Sequence, residues 1–198
     1  MQKYGNRLKQ IETKQYMNAK NYLDKAKIVL KERKNGREYE LGIAGYEFEG
    51  PVAADKDGAG WDPEYDGNWL NVSFRVKDSG RDTECLDACL LTWELEHLAD
   101  NIEYFLSHPE EKEYGPWLTE NILDLQFSRR QDGKIKVSVF FMSEGKMSEE
   151  KEWETFRFDG IFSERDIRKA VKSLRVFSEA FPYREFEDGR IEGTGWIA

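Results

Sequence analysis

No apolar run in this chain approaches the ~20 residues needed to cross a bilayer. Met1 to Lys14 is polar and lacks the apolar stretch of a secretion signal, so a cytoplasmic location, away from the membrane, is the expectation. Cysteine and histidine are scarce, with two of each. Cys85 and Cys89 stand four apart. In one strand their Cα atoms would lie about 13 Å from each other, beyond disulfide reach. His97 and His108 are not at finger spacing from them, so zinc lacks a ligand set. Two small buried thiols in a reducing compartment is the reading that remains. The G-x-S-x-G elbow of a serine hydrolase is missing, as is any phosphate loop. Gly58-Ala59-Gly60 has neither the third glycine nor the following helix of a dinucleotide fingerprint. Carboxylates are plentiful, but no spacing selects one as a general acid, and Glu94 and Glu96 suit the electrostatics of a helix start. Neither a metal nor a cofactor is expected.

What is present is a core and a lopsided charge. Hydrophobic residues make up 39% of 198 positions and aromatics 14%, enough for one domain. Residues 1–37 carry eleven Lys/Arg against three acids, a net +8, which leaves −17 on the remainder. A body of that charge repels nucleic acid and anionic lipid and attracts a basic partner. Nucleic acid could be held only by the first segment, and its Tyr4, Tyr16 and Tyr22 are not on a strand platform.

Periodicity gives an α+β chain. Arg7 to Ala26 reads as a basic N-terminal helix with a thin stripe of Tyr16, Ala19, Leu23 and Ala26. Lys27–Arg33 and Glu38–Ala44 read as strands joined by an Asn35-Gly36 hairpin, with Tyr39, Leu41 and Ile43 on one face. Leu70, Val72, Phe74 and Val76 alternate with polar neighbours, which indicates an antiparallel sheet covered on one side. After Ser79-Gly80 comes a short strand around Asp82–Asp87. A helix opening at Cys89–Glu94 follows, capped by Thr92 and buried through Leu91, Leu95, Leu98, Ile102 and Phe105. His97 shares a face with Glu94 at i,i+3 and reads as a surface or packing residue. His108-Pro109 stops the helix. Leu123–Phe127 and Ile135–Phe141 form a second hairpin about Asp132-Gly133, and Glu152–Phe158 adds a strand. Ser163, with Asp166 three residues on, starts a last helix lined by Ile167, Ala170, Val171, Leu174, Phe177 and Phe181. The expected architecture is a mainly antiparallel sheet of about six or seven strands, with the two main helices together on one face. Residues 1–26 form an extension, 27–182 a single domain, and 183–198 an acidic, glycine-rich tail.

The long excursion from Gly45 to Gly67 is the first candidate site, because loops beyond about 12–15 residues are usually functional or disordered. Asp55-Lys56-Asp57-Gly58-Ala59-Gly60-Trp61-Asp62-Pro63-Glu64-Tyr65-Asp66 begins like a calcium loop. Ala59 at position five cannot ligate, and Asp66 stands where a bidentate Glu belongs. The other readings are a turn-rich connector and an acidic contact loop with Trp61 and Tyr65 as anchors. The contact residues would be Asp55, Asp57, Trp61, Asp62, Glu64 and Asp66. Glu149, Glu150, Glu152 and Glu154 form a second acidic candidate.

Gly45-Tyr46-Glu47-Phe48, Asp66-Gly67-Asn68-Trp69-Leu70, Asp87-Ala88-Cys89-Leu90-Leu91-Thr92-Trp93-Glu94 and the ending Ala180-Phe181-Pro182 together resemble the WapI-type family of bacterial immunity proteins. The resemblance spans about Glu38 to Pro182, and Ala88 departs from the proline usual before the cysteine. It implies a cytoplasmic, non-enzymatic antidote that binds a cognate protein toxin, often a nuclease, and occludes it. Two other readings stand beside it. One is a hydrolase with its mouth at residues 45–67. The other is a regulatory module that holds nucleic acid through the basic N-terminal helix.

Overall fold

The computed structural model describes residues 27–32, 36–48, 63–78, 81–120, 122–144, 153–187 and 190–192. The N-terminal helix expected over Arg7–Ala26 lies outside them. Strands β1 (Ile28–Lys31), β2 (Glu38–Tyr46), β3 (Trp69–Asp78) and β4 (Arg81–Leu91) form one antiparallel sheet in chain order. A four-residue helix, α1 (Pro63–Asp66), precedes β3. Helix α2 (Thr92–Ser107) follows β4. Strands β5 (Glu113–Tyr114), β6 (Leu123–Arg129), β7 (Ile135–Glu144) and β8 (Trp153–Phe162) then form a second antiparallel sheet, again in chain order. Helix α3 (Glu164–Ala180) leads to a ribbon of β9 (Glu185–Glu187) and β10 (Arg190–Glu192). No helix among the described residues is long and apolar enough to cross a membrane.

The hairpins are those the turn chemistry requires. Gly36 and Gly133 both sit at φ +74°, a conformation that glycine adopts without strain. The single sheet of six or seven strands is corrected to two sheets of four. Each meander satisfies its own backbone hydrogen bonds, so local pattern does not say whether β4 continues into β6. Helix α2 breaks the run, and the two apolar faces close on each other. Phe74 on β3 stacks on Phe141 of β7 at 6.3 Å and meets Phe158 of β8 at 5.2 Å. Tyr39 on β2 crosses to β8, edge-on to Phe162 at 5.6 Å, and its hydroxyl donates to the Asp159 carbonyl at 2.8 Å. Gly160 lies beneath these rings. A Cβ there would overlap Phe162 and come within 3.1 Å of Tyr39.

Strand β4 is longer than the sequence suggests. Leu90 and Leu91 pair with Leu70 and Trp69 and do not begin the helix. A short apolar run cannot be assigned by periodicity, and here strand pairing decides it. The register shifts between Leu70 and Asn71, which leaves Cys89 as the extra residue of a bulge. Cys85 and Cys89 are both buried, as the thiol reading has it. Leu91, not Thr92, occupies the N-cap of α2. Its amide donates to Glu94 Oε2 at 2.8 Å, and Glu94 is itself buried. His97 is exposed, in keeping with its reading as a surface residue.

The stripe Leu95, Leu98, Ile102 and Phe105 is buried as expected, and Ala99 and Leu106 join it. Arg129 from β6 caps the other end of α2. Its guanidinium lies 4.5 Å from the Phe105 ring and donates to the carbonyls of Phe105 and Leu106 in the last turn. Helix α3 starts as read, with the Asp166 amide donating to Ser163 Oγ at 3.3 Å. It packs along α2, and Arg175 reaches across to Asp100 and Glu103.

Candidate protein interface

Four separate stretches meet at the start of α2, and Asn68 joins them. Asn68 is fully buried. Its amide donates to the Tyr65 carbonyl at 3.0 Å, and its carbonyl accepts from the Thr92 amide at 3.1 Å. Its side-chain Oδ1 accepts from the Arg184 amide at 2.8 Å and from Thr92 Oγ1 at 3.1 Å. Its Nδ2 donates to the Arg184 carbonyl at 3.0 Å. A side-chain amide is the right group here because it offers donors and an acceptor together. Thr92 therefore does not cap its helix; its hydroxyl ties the helix to β3.

Arg184 closes the clasp. Its side chain is buried, with one guanidinium nitrogen donating to the Phe48 carbonyl at 2.7 Å. The guanidinium lies over the Tyr46 ring at 3.3 Å from the centroid, a close cation–π pair. Burial lowers the Arg184 pKa from its ordinary value, and Tyr46 opposes that. Burial also pushes the Tyr46 phenol up to about 12, with the neighbouring guanidinium pulling the other way. The Tyr46 hydroxyl donates to the Pro182 carbonyl at 2.7 Å, across 136 positions of chain.

On this clasp sits an aromatic shelf. The half-buried Trp93 ring meets Tyr65 edge-on at 5.3 Å and Tyr183 at 5.7 Å. Tyr65 is 44% exposed and Tyr183 40%. Asp66 follows Tyr65 in the chain, and its carboxylate lies near those of Glu47 and Asp87. The Glu47 carboxyl is held above its ordinary range, first by partial burial and then by the charges of Asp66 and Asp87. Large aromatic rings with a polar tip, placed next to negative charge, suit a protein partner that brings Lys or Arg.

Of the residues singled out from sequence, Asp55, Asp57, Trp61 and Asp62 lie outside the described residues, as do Glu149, Glu150 and Glu152. Glu64 falls in α1 and Glu154 in β8, where only the backbone is described. Asp66 is placed at the shelf, with Tyr65 beside it. Trp93, Tyr183, Arg184 and Glu47 were not singled out as site residues. Tyr183 and Arg184 fall in the acidic, glycine-rich tail of the sequence, where nothing local marks either as a site residue. A cavity of about 410 Å³ is formed by β1 and the start of α3, lined by Val29, Lys31, Glu32, Gly36, Asp166 and Lys169. None of its residues belongs to the shelf. Among the described residues no three His, Cys, Asp or Glu side chains gather where a metal ion could be held.

Fold and surface define an α+β protein in which buried polar bonds hold the ends of β2, β4 and α3 around an aromatic shelf. The chain belongs to the immunity protein WapI-like family, whose family model matches residues 29–182. That span includes all four stretches that meet at the clasp, apart from the final Tyr183-Arg184. No curated protein and no solved structure matches the chain.

Proposed function

We propose that the protein is a cytoplasmic antidote that binds a cognate toxin domain and occludes it, one to one and without turnover. Family membership over residues 29–182 carries this reading. The charge supports it: the chain beyond residue 37 is net −17, and a toxin that acts on nucleic acid presents a basic surface where it holds phosphate. The contact surface we infer is the shelf of Tyr65, Trp93 and Tyr183, continued by the acidic stretch Asp55, Asp57, Trp61, Asp62, Glu64 and Asp66. Tyr65 and Asp66, which end that stretch, are among the described residues.

The test asks whether the gene immediately upstream encodes a large protein with a toxic C-terminal domain, and co-expresses that domain with this chain. Growth is restored, and titration of the purified pair gives a one-to-one end point. Reversing the charge of Asp55, Asp57, Asp62 and Asp66 slows association, most at low salt, and leaves the fold intact. Unchanged association kinetics would remove the acidic stretch from the interface. Catalytic consumption of the toxin or of a small molecule would replace the antidote reading with the hydrolase one.

A further inference from the structure

Between β5 and β6 the chain holds its most exposed large apolar side chain among the described residues. Trp117 is 97% exposed, yet its loop is well fixed. The next residue, Leu118, is buried in the core. The Thr119 amide donates to Glu94 Oε1 at 2.6 Å, while the other oxygen of that buried carboxylate holds the Leu91 amide. The Ile122 carbonyl accepts from the Met142 amide at 2.8 Å, which ties the loop's far end to β7. Glu94 thus pins the Trp117 loop to the helical turn that carries Trp93 into the aromatic shelf. A tryptophan left in water on a loop built this firmly gains nothing for the fold. Isolated exposed apolar residues are ordinary, but one that is fully exposed and preorganised has the character of an interface anchor.

The surroundings specify the partner's chemistry. Glu110, Glu111, Glu113 and Glu120 flank the indole along the chain, against the single Lys112, and all are exposed. We propose that Trp117 is a principal anchor of the partner interface, seated in a recess of a basic protein surface where Lys or Arg side chains meet its ring face. The flanking glutamates then pair with the rim of that recess. The inference rests on the antidote reading and names a contact within it.

The experiment measures the purified toxin domain that the co-expression test identifies against the wild-type chain, Trp117→Ala and Trp117→Phe. Because the side chain makes no core contact, both variants keep the wild-type melting temperature. Trp117→Ala weakens binding by about 30-fold or more, chiefly through faster dissociation, and Trp117→Phe recovers part of that loss. If the wild-type chain restores growth and Trp117→Ala binds within about threefold of it, the anchor is refuted and the antidote reading stands. If the wild-type chain neither binds nor restores growth, both fall. Concentration-dependent dimerisation of the free protein that Trp117→Ala abolishes would assign the indole to a second copy of this chain and overturn the proposal.

Discussion

Replacing Asn68 by alanine removes three side-chain hydrogen bonds from a fully buried position. The Thr92 hydroxyl rotates about its Cβ–Oγ1 bond and can re-aim its donor, so its loss is the smallest of the three. The amide and carbonyl of Arg184 cannot turn away without moving the chain that carries the guanidinium. Each buried group left unpaired costs about 1–3 kcal/mol, which gives ~3 kcal/mol for the two after partial relaxation. That is a large share of the 5–15 kcal/mol typical of a domain. With a urea m value of about 2 kcal/mol/M the midpoint falls by ~1.5 M. The Arg184 amide, protected in the wild type, exchanges faster by hydrogen–deuterium measurement. Thr92→Val alone costs about 1 kcal/mol and adds almost nothing in the Asn68→Ala background, because both act on one bond. A midpoint shift below ~0.3 M at unchanged m, or full additivity of the two substitutions, would refute the clasp as the element that joins the four stretches.

Gly160→Ala pushes a methyl group into the Phe162 and Tyr39 rings and lowers stability by about 1–3 kcal/mol, read as a melting temperature several degrees lower. Tyr114→Phe is neutral or stabilising by up to about 1 kcal/mol, since its buried hydroxyl has no partner among the described residues; a clear loss would show that one exists. Burial raises Tyr46 from 10.0 to about 12, and Tyr114 likewise to about 12. The unfolded chain releases these protons first, so their contribution is complete below pH 10 and is lost as pH rises toward 12. Urea midpoints therefore fall across that window, less steeply in Tyr46→Phe, and a flat profile would contradict the burial of these phenols. Cys85 and Cys89 are buried, and burial raises the Cys89 thiol pKa further, so a thiol reagent labels neither quickly in the native protein and both in denaturant.

Much of the fold was legible because local chemistry decides it. Alternation in β3, the stripe of α3 and the two glycine turns each depend on neighbours within a few residues, and the structure places them as the pattern requires. Sheet membership was not legible. The pairing of β3 with β4 and that of β6 with β7 use the same backbone bonds, and contacts between the layers, such as Phe74 on Phe141, 67 positions apart, show that the two sheets face each other. Cys89 to Leu91 failed for a related reason. Three buried residues in a row fit a helix entry or a bulged strand equally well, and the partner strand settles which it is.

The candidate interface was legible only as a set of separate short sequences. Thr92 reads as a helix cap, and Asn68 and Pro182 stand within short family-like stretches, roles that any fold could assign them. Their common purpose depends on the side-chain amide of Asn68 meeting the backbone of Arg184, 116 positions away, which no periodicity encodes. Glu94 is the sharper case. Helix electrostatics accounts for an acid in the first turn, and an exposed one would serve as well. Burial of this one, with an oxygen each for Leu91 and Thr119, makes it a brace between the helix start and the Trp117 loop. A surface meant to dock must hold its aromatic groups still, since each ring ordered only on binding subtracts from affinity. Buried polar bonds do this better than apolar contacts because they tolerate fewer geometries. Glu94→Gln therefore loosens the loop while retaining the helix, and the expected signature is faster amide exchange at Thr119 with weaker toxin binding. Unaltered exchange there would mean that the loop holds its shape through Leu118 alone.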